Sequence, residues 1–479
     1  MTDNSNFKII SFILFCIQGL LFLISIPYHS VNGDEAWSAE QSYSLAKNGV
    51  STSNLFKGMI KEDQERIVVQ HKLFIYSSAI LFSIFGLSLD VLRIISIISF
   101  LALLYLLFLF LKRENLLDKK YSIYLILLLL LSFSEFFYFA KIARPEMMVT
   151  MFGFASYYFI SKHECKKPYL YSLIGGIFAG AAMLTHLYGI VFVVSGIAFF
   201  LYKRNYKYSV LFLIFSFIVF LPYLYEIIIY NHIFNSQINS PLVNSKTSFS
   251  LITPLINLFK EHERLFRKPE IISSSLLTIF CIVINFKDYR KNHNDIFIYT
   301  IILIFSIAFI VEDKTIKYSV YLIPFQATLI YICLRNFTIK NKAVIASFCL
   351  VIALFFAVSF NYNMRDIFNK EYISAINNEI SELIPEGSWV IAPMNYIFNG
   401  IEKHKIVSTY LLRLETKNNI TVSSMFDFCN NKEIDYVIFN KYGENVDIPK
   451  DYQDKEELIK YFEIINKNPT FEILKIKKK

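Results

Sequence analysis

Long apolar segments recur along the first 360 residues of this 479-residue chain, and short polar connections separate them. A helix needs about 20 predominantly apolar residues to cross a bilayer, so the pattern predicts a polytopic α-helical membrane protein. No small-residue cleavage site follows the first segment, Ile9 to Ile26, which indicates a retained helix. The apolar segments are 7–27, 73–89, 91–111, 121–140, 146–161, 170–186, 188–202, 208–227, 270–286, 295–311, 317–334 and 342–360.

The positions of Lys and Arg constrain which segments cross. Cytoplasmic loops of membrane proteins are enriched in these residues. The basic connections lie on one side only if either 73–89 or 91–111 fails to cross. Segment 73–89 is the weaker candidate, because it is short, contains four serines and leads directly into Asp90 and Arg93. We therefore predict eleven spans, with 73–89 as an in-plane or re-entrant helix on the outer side. The basic connections are 112–120, 161–167, 203–207, 287–295 and 335–342.

This topology divides the chain into a transmembrane domain, 1–360, and a soluble tail, 361–479. It predicts a cytoplasmic N-terminus, outer loops at 28–90 and 228–269, and an extracytoplasmic tail at a bacterial inner membrane. In the tail, short apolar runs alternate with helical patterns, which is typical of a small parallel α/β domain. We predict helices near 367–384 and 421–432, and strands within 388–394, 404–410 and 435–441.

The composition supports a membrane protein and excludes several other classes. Apolar residues make up 55% of the chain and charged residues only 18%, with a mean hydropathy of +0.44. Soluble domains usually contain about 25% charged residues. These values exclude a disordered chain and a basic nucleic-acid-binding domain, and they disfavour an ordinary soluble enzyme. The six cysteines show no C-x-x-C spacing, so we predict neither a disulfide framework nor a cysteine metal site.

The net charge of +9 is explained by its distribution along the chain. The N-terminus and the five basic connections carry a net charge of +11, the predicted outer segments before 361 carry zero, and the tail carries −2. The excess positive charge is therefore a topological signal, and it requires no nucleic acid or acidic partner.

Several short motifs could carry chemistry. The sequence NGDEAWSAEQSYSLAKNGV (32–50) follows the first span and places Asp34 and Glu35 at a predicted helix start. One interpretation is that Asp34 only caps this helix; the other is that it is catalytic. Further motifs follow in order: QHKLFIYSSAILFSIFG (70–86), LRIIS (92–96), ARPEMM (143–148), G-x-x-x-G-x-x-x-L-T-H-x-Y-G (176–189) and KYSVYLIP (317–324).

This series resembles the GT-C type membrane glycosyltransferases over about residues 7–330. The similarity is to the protein O-mannosyltransferase-like branch, which includes the aminoarabinose transferases that act on lipid A. The resemblance implies transfer of a sugar from a polyprenyl-phosphate donor to an acceptor at the outer face of the membrane. The acceptor is expected to be lipid A, another surface glycan or a protein, and the tail is expected to help receive it.

The resemblance also implies residue roles. Asp34 matches the acidic residue that activates the acceptor, and Glu146 stands where the family usually has Asp, as a second acidic residue that orients a substrate or a divalent cation. His71 and Lys72 match a basic or His-Pro-Pro motif without its prolines. Residues expected to bind the donor phosphate are His71, Lys72, Arg144, Lys314 and Lys317, and those expected to bind other parts of the substrates are Glu35, His186 and Tyr318.

Elementary chemistry agrees with these roles. A sugar hydroxyl is a weak nucleophile, so a carboxylate general base assists its attack on the anomeric carbon. A phosphate leaves as an anion and needs nearby positive charge, not a general acid. One carboxylate with a basic cluster is thus sufficient for a single displacement with inversion.

Structural interpretations of the same residues remain open. Arg144 could anchor a helix end, His186 could be an interface histidine, and Lys314 and Lys317 could pair with the preceding acidic residues. The competing functions are a polytopic lipid or glycan transporter or flippase, and a non-catalytic scaffold. Transporters usually place polar groups at mid-membrane, whereas the charges here cluster at one predicted surface, with Glu135 as the nearest exception.

Overall fold

The computed structural model describes most of the chain, and all structural statements below concern those residues. Parts of the connections 112–120, 161–167 and 335–342 and of the loop 228–269 lie outside the described residues. The described ranges are 5–28, 31–60, 62–69, 71–117, 122–162, 167–240, 252–336, 342–368, 374–440, 449–467 and 470–477.

Helices dominate the first 368 residues. The 3-10 turns Leu187–Gly189 and Ile316–Tyr321 precede α9 and α16. The α-helices are α1 (Ser5–Tyr28), α2 (Gly33–Asn48), α3 (Lys72–Phe85), α4 (Leu89–Arg113), α5 (Ser122–Ser132), α6 (Ser134–Phe139), α7 (Pro145–Ile160), α8 (Pro168–Thr185), α9 (Ile190–Tyr202), α10 (Tyr206–Ile229), α11 (Asn231–Ile238), α12 (Thr253–Phe259), α13 (Glu261–Leu265), α14 (Pro269–Asn292), α15 (Asn294–Ile310), α16 (Ile323–Arg335) and α17 (Lys342–Phe368).

The chain is a multi-pass membrane protein. Six helices in the described part, α1, α4, α8, α10, α14 and α17, are long and apolar enough to cross a membrane. Five apolar helical segments of 10–17 residues accompany them, and α3, which is not a predicted crossing, is one of the five. The total of eleven crossings therefore stays a prediction. The segment predicted at 121–140 is interrupted at Phe133, which separates α5 from α6.

The weak segment 73–89 forms a short helix, as its composition suggested. α3 contains 14 residues, so at 1.5 Å per residue it is about 21 Å long. The hydrocarbon core of a bilayer is about 30 Å thick, which is longer than α3. α3 ends at Phe85, and Ser88 then caps α4 by accepting a hydrogen bond from the backbone N–H of Val91. The short length is compatible with the in-plane interpretation, which stays a prediction because α9 and α16, at 13 residues each, are no longer than α3.

The G-x-x-x-G sequence in α8 brings two helices close together. A Cβ added at Gly176 would lie 2.5 Å from the carbonyl oxygen of Phe212, and one added at Gly180 would lie 2.4 Å from that of Ser216. Small residues allow backbones to approach in this way inside a membrane. Gly176 and Gly180 therefore serve the packing of α8 against α10, and His186 lies just beyond the end of α8.

The tail contains a small α/β domain, which confirms this part of the predicted fold. Its sheet is mixed, however: β2, β1 and β3 are parallel, and β5 runs antiparallel to β3 and β4, in the order β2-β1-β3-β5-β4. The prediction of an entirely parallel domain is therefore wrong. The elements are α18 (Ser374–Leu383), β1 (Trp389–Ala392), the 3-10 turn Met394–Tyr396, α19 (Ile397–Gly400), β2 (Lys405–Ser408), α20 (Thr409–Glu415), α21 (Val422–Asn431), β3 (Tyr436–Asn440), α22 (Lys455–Tyr461), β4 (Phe462–Lys467) and β5 (Phe471–Ile476).

The α/β domain packs on the segment 31–60 and shares a buried apolar core with α2, α3 and α4. The backbone N–H of Ser408 donates to the carbonyl of Leu55 at 3.0 Å. The ammonium groups of Lys57 and Lys432 each donate to the other residue's carbonyl, at 2.8 and 2.9 Å. Lys57 also lies 3.6 Å from the ring centroid of Trp389. The tail thus holds α2, which carries Asp34, from the side opposite the helical bundle.

Two buried carboxyl groups lie beneath this contact. Glu40 accepts hydrogen bonds from the Ser53 hydroxyl and from the Asn54 backbone N–H. Burial raises the pKa of Glu40 to about 7. Burial, and then the charge of Glu40, raise the pKa of Asp63 to about 8, and Lys432 opposes this increase. Because both pKa values exceed those of free carboxyl groups, the folded loop favours the protonated forms.

We predict that the loop loses stability as pH rises from about 4 to about 8. The contribution of a carboxyl group with a raised pKa is fully present below its unfolded-state value, near 4, and is lost as pH rises to the folded-state value, which is about 7 for Glu40 and about 8 for Asp63. One pKa unit corresponds to about 1.4 kcal/mol, so the melting temperature should fall by several degrees over this range. Glu40→Gln should flatten the profile, as measured by thermal unfolding in detergent. The exposed Glu382→Gln is the control, and a Glu40→Gln profile parallel to wild type would contradict the prediction.

Candidate active site

The N-termini of three helices meet at one place. Asp34 lies in the first turn of α2, His71 is the N-cap of α3, and Arg144 and Glu146 lie at the start of α7. Each helix N-terminus presents unpaired backbone N–H groups and the positive end of the helix dipole. The site therefore favours anionic groups before any side-chain charge is counted.

Arg144 joins the two acidic residues. Its guanidinium lies 2.5 Å from Asp34 Oδ2 and donates to both carboxylate oxygens of Glu146, at 2.7 and 3.1 Å. Burial opposes the charge of Arg144, but Glu146 and then Asp34 raise its pKa. Glu146 is fully buried, whereas the Asp34 side chain is 56% exposed. Asp34 is thus held by a fixed cation and remains accessible to a second molecule.

Glu35 is a structural residue beside the site. Its carboxylate closes the capping box of α2 by accepting from the Asn32 N–H at 2.8 Å. It also accepts from Arg93 through both oxygens, at 2.9 and 3.0 Å, and from the Ala143 N–H at 2.7 Å. Glu35 and Arg93 are both buried. Because these hydrogen bonds occupy both oxygens of the Glu35 carboxylate, Glu35 is a positioning residue for Asp34 and not the substrate contact that was predicted.

A cluster of aromatic rings forms another side of the site. The His71 and His186 rings stack with centroids 4.5 Å apart, and Tyr188 and Tyr318 pack against His186 at 5.3 and 5.6 Å. Burial lowers the pKa of His71 to about 4 and that of His186 well below its usual range. Both imidazoles are therefore neutral near pH 7. The structure brings His71, His186 and Tyr318 together with Arg144, as the sequence motifs predicted.

The predicted phosphate-binding lysines separate into two groups. Lys317 is partly exposed and pairs with Asp313 at 3.2 Å, near enough to influence His71 and His186 electrostatically. Lys314 is buried and donates to Glu261 and to the carbonyls of Ala308 and Val311, at 2.9 to 3.0 Å.

Lys72 is also buried, and it lies 2.5 Å from Glu226 in α10. Lys72 and Lys314 are therefore committed to internal ion pairs, which differs from their predicted phosphate-binding role. Glu226 and Glu261 neutralise these two buried lysines in place of a substrate phosphate. Both glutamates are distant in sequence from the lysines that they pair with.

Several residues that shape the site had no role predicted from the sequence. Arg93 was part of a motif without a role, although a charged residue at the start of an apolar span is a signal in itself. No sequence pattern marks Tyr138, yet its hydroxyl accepts a hydrogen bond from the Asn32 side-chain amide at 3.1 Å.

Within the described ranges, no three His, Cys, Asp or Glu residues form a group that could hold a metal ion. The proposed divalent cation at Glu146 stays a prediction.

Comparisons with known proteins bear on this arrangement. Residues 73–225, about a third of the chain, match the family described as dolichyl-phosphate-mannose-protein mannosyltransferase. The structure of ArnT from Cupriavidus metallidurans bound to undecaprenyl phosphate is similar with a TM-score of 0.62 at 11% identity, covering 98% of each chain. The chain has the GT-C glycosyltransferase fold.

Other GT-C structures extend this similarity. The Archaeoglobus fulgidus oligosaccharyltransferase in complex with Zn and sulfate gives a TM-score of 0.57 at 12% identity, over 94% of this chain and 71% of that one. AglB from the same organism, in complex with an inhibitory peptide and a dolichol-phosphate, gives 0.55 at 11% identity over 91% and 70%. No curated protein matches the sequence. At these low identities the structural similarity shows a shared fold, and it confirms the predicted resemblance.

We predict that Arg93→Met sharply destabilises this protein. Removing Arg93 leaves the Glu35 charge buried without its partner, which typically costs about 3–5 kcal/mol. The double variant Glu35→Gln/Arg93→Met should recover part of the loss, because no uncompensated charge remains. Melting temperature and membrane level provide the measurements. The exposed Arg290→Met is the control, and an Arg93→Met protein as stable as this control would refute the positioning role.

Proposed function

We propose that this protein transfers a sugar from a polyprenyl-phosphate donor to an acceptor at the outer face of a bacterial inner membrane. The acceptor is a lipid such as lipid A, another surface glycan or a protein. The reaction is a single displacement with inversion, in which Asp34 is the general base. The observation that carries the proposal is the arrangement of Asp34, Arg144 and Glu146 at the meeting point of three helix N-termini.

Asp34 has the geometry of a general base. Its Oδ2 is held by Arg144, and the described residues give Oδ1 no hydrogen-bond partner. With 56% of the side chain exposed, Oδ1 can accept the proton of an acceptor hydroxyl. The acceptor oxygen then forms a bond to the anomeric carbon, and the bond from that carbon to the phosphate oxygen breaks. The electron pair leaves with the lipid phosphate.

Arg144, Lys317 and the helix N-termini provide the positive potential that the leaving phosphate requires. Fixed, preorganised charges of this kind stabilise an anion without reorganising during the reaction. The similarity to ArnT bound to undecaprenyl phosphate and to AglB with a dolichol-phosphate supports a lipid-linked phosphate as the donor class. Lys72 and Lys314 are assigned to the support of the site and not to donor contact.

The position of the α/β domain supports a role in receiving the acceptor. Met394 packs directly against the start of α2, where its sulfur lies 2.8 Å from a Cβ added at Gly33. Gly33 immediately precedes Asp34, so the α/β domain forms one boundary of the space around the catalytic carboxylate. An acceptor approaching the exposed Asp34 therefore passes this domain.

We predict that Asp34→Asn lowers the rate of sugar transfer about 10²–10⁴-fold, the usual contribution of a general base. The variant keeps the shape of the side chain and should reach a normal membrane level. The rate is measured as the release of polyprenyl phosphate from the donor lipids in membranes. Glu382→Gln, an exposed change in α18, is the matched control. Full transfer by Asp34→Asn would show that the base assignment is wrong.

The outer-face topology predicts that a cysteine at Ser88 reacts with a membrane-impermeant thiol reagent added outside the cell. Ser88 lies in the short connection between α3 and α4, on the side of the membrane assigned to the site. The control is a cysteine at Arg204, which lies in a basic connection and should react only after permeabilisation. The reverse labelling pattern would contradict the outer-face topology and place the site on the cytoplasmic side.

A further inference from the structure

The stacked imidazoles of His71 and His186 can carry no more than one positive charge between them. Their centroids lie 4.5 Å apart and their planes differ by 17°. Two imidazolium ions at this separation in a half-buried site would repel strongly, because water screens the two charges only in part. The pair is thus suited to a change of a single positive charge.

His186 is the member that stays neutral. Its Nδ1 accepts a hydrogen bond from the backbone N–H of Tyr188 at 3.0 Å, so a proton on Nδ1 would remove this bond. The rings of Tyr188 and Tyr318 enclose it on two sides. His71 and Lys317 also disfavour a charge on His186.

His71 is the member that can accept a proton. It is the N-cap of α3 without a side-chain capping bond, and the described residues offer its ring nitrogens no hydrogen-bond partner. The charged groups that face it are Glu146 and Asp34, which favour protonation, and Arg144 and Lys317, which oppose it. Burial is the largest influence and keeps the ring neutral in this arrangement, with a pKa of about 4. A new anion nearby would shift that balance toward the protonated form.

The proposed reaction supplies such an anion. The donor is a phosphodiester with one negative charge, and the released polyprenyl phosphate is a monoester that carries two. We propose that His71 takes up one proton from solvent as the leaving lipid phosphate gains its second negative charge. The acceptor hydroxyl loses its proton to Asp34 and then to water, so protons balance and the net charge of the site is unchanged. This inference rests on the proposed function.

Proton uptake would couple product release to pH. Binding that requires a proton becomes about tenfold weaker for each pH unit above the range in which the free site is protonated. The product should therefore dissociate more readily as pH rises. The diester donor lacks the second charge and should show a smaller dependence, so a rise in pH should weaken product binding more than donor binding.

Isothermal titration calorimetry with undecaprenyl phosphate tests the inference. Titrations at pH 7.5 in two buffers with different ionisation enthalpies measure the protons taken up on binding, and the monoester is mostly a dianion there, since its second pKa is about 6. Wild-type protein should take up about one proton per bound phosphate, and His71→Asn should take up almost none. A methyl diester of the same lipid phosphate should bind wild-type protein without this uptake.

Two control variants locate the proton. His186→Phe keeps a ring in the stack and should retain the uptake, as should His262→Gln at an exposed position in α13. Full uptake by His71→Asn would place the proton on the phosphate or another group and overturn the inference. Binding by wild-type protein without any uptake would overturn it as well, while leaving the proposed function intact. Failure of wild-type protein to bind undecaprenyl phosphate at all would instead contradict the proposed function.

Discussion

The buried ion pair between Glu35 and Arg93 fixes the geometry on which the site depends. Through this pair the start of α2 is joined to α4, and the same carboxylate accepts from Ala143, directly before the residue that caps α7. Glu35 therefore holds the N-termini of α2 and α7 side by side. Asp34, the preceding residue, then faces Arg144 at 2.5 Å. Removing either Glu35 or Arg93 would leave its partner as an unpaired buried charge, so neither residue can be replaced alone without a large loss of stability.

The surrounding charges follow the same principle. Lys72 with Glu226 and Lys314 with Glu261 are buried pairs that brace the site, whereas Asp34 and Lys317 remain accessible. Pairs buried at low dielectric contribute rigidity and orientation more than net stability. Fewer cations are therefore accessible to a substrate than the sequence motifs suggested, and the proposed mechanism leaves Arg144 and Lys317 to face the donor phosphate.

Periodicity and composition predicted the helical elements well, because an apolar run of membrane length has few other structures open to it. The association of Asp34, Arg144 and Glu146 was expected from the order of the motifs and from the family resemblance that they carry. The commitment of Lys72 to Glu226 could not be predicted, because the two residues lie in different motifs and their contact depends on how α3 meets α10. The antiparallel β4 and β5 were missed because the sequences of both strands mix apolar and polar residues on each face, so neither shows the alternation typical of a half-buried strand.

Sugar transfer from a polyprenyl-phosphate donor is the function proposed for this protein, and the roles assigned to its residues depend on it. Mass spectrometry of the lipids and surface glycans from cells with and without the gene would reveal this transfer. Cells without the gene are expected to lose one sugar mass from a surface lipid, glycan or protein and to accumulate the polyprenyl phosphate that carries that sugar. Identical profiles for both the acceptors and the lipid-linked sugars, with the protein present in wild-type membranes, would contradict it.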